Sequence, residues 1–135
     1  MKKEIVMSKY ESKLSQNDIM DESTDKKEEY ERLINQFIMY INETKYYEAH
    51  EALEEIWFPR RFEENVEMKL IKGFINAAVS FELIKRGRPE SAQRVWKNFE
   101  KYIILLGTFE SPHNSRYEEL DRFLRQKKHE LTSNS

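Results

Sequence analysis

Cysteine is absent from this chain of 135 residues, so disulfides, thiolate metal centres and cysteine nucleophiles are excluded, and zinc fingers and iron–sulfur clusters with them. Glycine and proline are scarce, three of each, which leaves few of the turn signals that a strand-rich chain needs. The abundant Glu, Lys, Leu, Ile and Ala all suit helices. No uninterrupted apolar run approaches the ~18 residues of a membrane span, and Met1-Lys2-Lys3-Glu4-Ile5 does not open an apolar stretch of the signal-peptide kind. Charge of one sign is lacking too. Charged residues make up 36% of the chain but nearly cancel, to a formal net charge of -2, so no global basic field draws nucleic acid or anionic lipid. These absences predict a soluble, cytoplasmic, all-α protein whose length suits a single domain.

The expected fold is a compact bundle of about five helices with a buried central helix, preceded by an arm. Residues 1–23 are polar with scattered apolar positions, which predicts a mobile N-terminal arm, and residues 24–131 form the bundle domain. The first helix starts near Ser23 or Thr24 and carries Tyr30, Leu33, Ile34, Phe37, Ile38 and Ile41 at helical spacing. A second runs from about Lys45 to Trp57, where Pro59 disfavours continuation. The third, about Glu64 to Arg86, is apolar on most of its circumference and should be the core of the bundle. Gly73, Ala77 and Ser80 make a ridge of small residues along it, against which the second helix is expected to pack. Gly87 stops this helix, and Pro89 opens a fourth that runs to Gly107. A weaker amphipathic fifth helix carries Tyr117, Leu120, Phe123 and Leu124.

The second helix holds the most informative run, Tyr46-Tyr47-Glu48-Ala49-His50-Glu51-Ala52-Leu53-Glu54-Glu55-Ile56-Trp57. At about 100° of rotation per residue, Tyr46, His50, Leu53 and Trp57 share an apolar stripe, Glu54 sits at its margin one turn beyond His50, and Glu51 lies further round. Placing an unpartnered polar group on such a face costs roughly 2–7 kcal/mol. The fold must therefore supply partners or use the pair chemically. His50-Glu51 begins like the zinc-protease pattern HExxH, but Glu54 stands where the second histidine belongs. His50 and Glu54 can still share a divalent metal if other helices complete the ligand set. The alternative is a buried His50–Glu54 hydrogen bond completed by Asn76, Lys69 or Lys72 of the third helix.

Other residues weigh less. Trp57 and Trp96 at helical spacing read as core. Arg60, Arg61, Lys85, Arg86, Arg88, Arg94, Lys97 and Lys101 could make an anion patch, but interspersed Glu90 and Glu100 favour a solvated mixed-charge face. His113 and His129, in a turn and a polar tail, are expected at the surface.

Two of these motifs, taken in order, resemble the domain-of-unknown-function family 309, a group of small all-helical proteins. The first is Tyr47-Glu48-Ala49-His50-Glu51-Ala52-Leu53-Glu54-Glu55-Ile56-Trp57, similar to that family's aromatic-x-Glu-Ala-His-Glu-x-Leu-Glu-Glu-x-Trp signature. The second is Gly73-Phe74-Ile75-Asn76-Ala77-Ala78 followed by Lys85-Arg86-Gly87, with Asn76 where the family has glutamine and Ser91-Ala92 where it has Gly-Ala. The resemblance spans about residues 44–106 and implies an all-helical fold. It implies no activity, because the family has none established.

The residues thus predict a His/Glu polar pocket for a small ligand or divalent metal, drawn from His50, Glu51, Glu54, Trp57 and Asn76, with His50 and Glu54 as the metal donors. The alternative is a non-catalytic helical interaction module in which the His/Glu cluster is structural. A protein partner or a second copy of the chain is admitted, a membrane is not, and nucleic acid ranks last. No reaction or cofactor other than that metal is suggested.

Overall fold

Apolar residues spaced three and four apart build each element of the computed structural model, which describes residues 22–133, with side chains from Asp25 onward. Helix α1 (Glu22–Asn42) buries Leu33, Ile34, Phe37 and Ile41 along one stripe. Helix α2 (Tyr46–Trp57) follows after a tight turn and buries Tyr46, Ala49, Ala52, Leu53 and Ile56. The expected arm falls on residues that, apart from the start of α1 at Glu22, lie outside the described ones.

Pro59 lies in a short 3-10 turn (Phe58–Arg60) that redirects the chain away from α2. Asn65 then caps helix α3 (Val66–Lys85): its side-chain oxygen accepts a hydrogen bond from the backbone N–H of Met68 at 3.2 Å. This satisfies one of the donors that a helix start leaves unpaired. Gly87, at φ +75°, takes the left-handed conformation that ends α3. Pro89 opens helix α4 (Pro89–Ile103), where its missing N–H costs nothing. Helix α5 (Asn114–Thr132) is the last of five α-helices among the described residues, which contain no strand.

As the sequence predicts, α3 is the central helix. It buries Met68, Leu70, Ile71, Gly73, Phe74, Ile75, Ala77, Ala78, Ser80 and Phe81 on nearly all sides. It packs against α2, α4 and α5, while α1 packs on α2. The Phe74 ring lies between Phe99 of α4 and Tyr117 of α5, with centroids at 6.2 and 5.9 Å.

One packing expectation is corrected. The helix that comes closest to Gly73 is α4, not α2: a Cβ at Gly73 would stand 2.8 Å from the Cβ of Tyr102. Small residues on a helix permit close approach but do not choose which neighbour makes it. Here the short connection through Gly87 folds α4 back along α3, and α4 takes that side. Helix α2 reaches α3 elsewhere on its circumference.

The turn between α1 and α2 holds Thr44 at φ +60°, a left-handed conformation uncommon for a β-branched residue. The Lys85 ammonium, at the end of α3, donates to the Thr44 carbonyl at 3.1 Å and ties this turn to the central helix.

Candidate functional site

His50 lies on the edge of the buried stripe of α2, with 17% of its side chain exposed, and both ring nitrogens find partners within that helix. Nδ1 is 2.9 Å from the Tyr47 carbonyl, so Nδ1 carries the proton and donates. Nε2 is 3.2 Å from Oε1 of Glu54, one turn on. The i,i+4 spacing read from the sequence therefore does bring the pair together. Burial pushes the imidazole pKa down, but the hydrogen bonds to Glu54 and to the Tyr47 carbonyl, with the charges of Glu54 and Glu51, outweigh it. The result is a pKa above the ordinary 6.5. The Tyr47 ring leans on the imidazole at 5.0 Å between centroids and is itself 48% exposed.

The remaining expected site residues separate. Glu51 is exposed. Trp57 is half-buried at the end of α2, and the Lys72 ammonium of α3 lies 5.6 Å from its ring centroid. Asn76 turns toward α4: its amide donates to the Lys72 carbonyl at 2.8 Å, and its oxygen accepts from Asn98 at 3.3 Å. The hydrogen-bond partners of His50 thus lie within α2, not on α3. Among the described residues there is no group of three or more His, Asp or Glu side chains that could hold a metal ion.

A second polar cluster escaped the sequence reading. His113, expected at the surface, is buried, with 5% of its side chain exposed. Its Nδ1 is 2.7 Å from a Glu31 oxygen of α1, and Arg116 donates to the other Glu31 oxygen at 2.6 Å and to Asn35 at 2.7 Å. The His113 ring stacks on Tyr30 at 4.9 Å between centroids. Beside it, Tyr117 donates to Glu67 of α3, and the same carboxylate oxygen accepts from Ser111 at 2.8 Å. Burial, then the neighbouring Glu67 charge, raises the Tyr117 phenol well above its ordinary range, so it remains a donor at any working pH. His113 precedes an apolar-periodic helix in a polar turn, so local sequence pointed to solvent. The partners that bury it are supplied from α1.

No described helix is long and apolar enough to cross a membrane. No curated protein and no solved structure matches the chain. Residues 34–95, which hold the His50 helix and all of α3, match the model of a family described as a domain of unknown function, DUF309.

Proposed function

We propose that the protein is a non-catalytic helical interaction module, and that the outward side of α2 docks a protein segment carrying lysine or arginine. The observation that supports this is the division of labour within the signature run. Its buried members pack α2, and His50 and Glu54 satisfy each other. Tyr47 and Glu51 are left exposed. The helix carries Glu48, Glu51, Glu54 and Glu55 and no lysine or arginine, so it offers an acidic face with an aromatic ring on it, a surface suited to cations.

The test is calorimetric titration with a lysine- and arginine-rich peptide at low and high salt, for the wild type and for Glu51→Gln and Tyr47→Ala. Salt-sensitive binding that both variants weaken, with unchanged melting temperatures, supports the module. Equal binding by all three proteins removes it.

The second reading is a small-ligand or divalent-metal pocket drawn from His50, Glu51, Glu54, Trp57 and Asn76. Its support is the convergence of Nε2 and the Glu54 carboxylate at 3.2 Å on a half-buried edge. The Nδ1 bond to the Tyr47 carbonyl orients Nε2 as a metal-ligating histidine requires, but the donor set suits a metal poorly because only two side chains converge. Zinc or manganese binding that is lost in His50→Gln would establish it.

A further inference from the structure

Where α2, the 3-10 turn, the start of α3 and the end of α4 meet, the surface opens into a cleft of about 230 Å³. Trp57, Phe62 and Tyr102 give it aromatic walls, and Arg61, Lys69 and Lys72 give it charge. With Arg60 it is lined by four cationic side chains against two carboxylates, Glu63 and Glu64, in a chain whose overall charge is negative. Such a local reversal of sign is the electrostatic mark of an anion site.

The details fit an anion that also carries a flat ring. Lys69 and Lys72 sit one turn apart on α3, both exposed, and neither makes an ion pair among the described residues. Asn65, the cap of α3, also lines the cleft, so the positive end of that helix dipole adds to the field. The Arg61 guanidinium lies between two rings, 3.7 Å from the centroid of Phe58 and 4.5 Å from that of Phe62. Phe62 is nevertheless 88% exposed, an apolar ring held at the rim with almost nothing covering it. The cleft is smaller than the roughly 300–1,000 Å³ that encloses a drug-sized ligand, so it has room for one ring system and an adjoining anion, with the rest of the ligand outside.

We propose that this cleft binds a nucleoside monophosphate, its base against Trp57 and Phe62 and its phosphate on Lys69 and Lys72. The site is separate from the acidic face of α2, and neither depends on the other.

Calorimetric titration with adenosine monophosphate, inorganic phosphate and a short single-stranded oligonucleotide tests it. The nucleotide should bind with a Kd below about 1 mM and more tightly than phosphate. The double variant Lys69→Gln/Lys72→Gln should raise that Kd at least about ten-fold with no change in melting temperature, since both side chains are exposed. Trp57→Ala should weaken the nucleotide while leaving phosphate binding intact. An absence of nucleotide binding, an unchanged Kd in the lysine variant, or phosphate bound as tightly as the nucleotide each overturns the proposal. An oligonucleotide that binds about 100-fold more tightly, with a steep salt dependence, overturns it in favour of a nucleic-acid groove.

Discussion

His50 and His113 each meet a glutamate, at 3.2 and 2.7 Å, but the two pairs are built differently. The first lies within one helix, four residues apart, and remains open to water at its edge. The second joins α1 to the segment before α5 across 82 residues, and its imidazole is sealed between Tyr30 and Tyr117. A pair within a helix exists wherever that helix forms and adds little to the fold that the helix lacks. A pair between distant elements forms only when the bundle has closed, so its loss is felt by the whole fold. The conspicuous motif is therefore the weaker support, and the inconspicuous turn histidine the stronger.

The sharpest way to break this contrast is His113→Ala. It removes a stacked, buried ring and one partner of Glu31, with an expected loss of about 3 kcal/mol in a denaturant titration. A loss near zero would mean that Arg116 alone holds Glu31 and that the cluster is dispensable. Tyr117→Phe keeps the ring and removes only its hydroxyl, leaving the Glu67 oxygen to Ser111. About 1–2 kcal/mol should go, and Phe74 packing should survive as judged by near-ultraviolet circular dichroism.

His50→Gln is expected to cost less, and in a pH-dependent way. The folded protein holds the imidazole proton more tightly than the unfolded chain does. That stabilisation is fully present below about pH 6.5 and disappears as the pH rises through the higher folded value. The melting-temperature gap between wild type and variant should therefore narrow as the pH is raised from about 5.5 into the weakly alkaline range. A gap that widens with pH would show that the neutral imidazole is the form the fold prefers. The smallest effect belongs to Glu51→Gln, which should stay within about 0.5 kcal/mol of wild type, because its side chain is exposed.

The same contrast explains what the sequence made legible. Pro59, Gly87 and Pro89 punctuate the chain where helices stop and start, and the near-continuous apolar circumference of residues 66–85 marks the central helix. The His50–Glu54 pair follows from spacing alone. Partners between helices do not follow from spacing. The ridge at Gly73 announces a close neighbour but not that Tyr102 supplies it, and nothing near position 113 points to Glu31. Asn65 was legible in principle, since an asparagine ahead of an apolar run is a helix-start signal. Its amide accepts from Met68 as that signal implies. Gly73→Ala checks the neighbour directly. With backbone-anchored atoms in the way, about 1–3 kcal/mol should be lost.

The bonds from Arg116 and His113 to Glu31 also bear on the order in which the molecule assembles. The Asn98–Asn76 bond between the central pair of helices closes a span of 22 residues, whereas Arg116 to Glu31 closes 85. Two doublings of loop length add about 1 kcal/mol to the entropy of closure, and the longer closure is rewarded only once the helices between are in place. Assembly should therefore start in the middle of the chain and finish at its two outer helices. In the finished protein the backbone amides of α1 and α5 should exchange their hydrogens sooner than those of α3, through openings that leave the central pair intact.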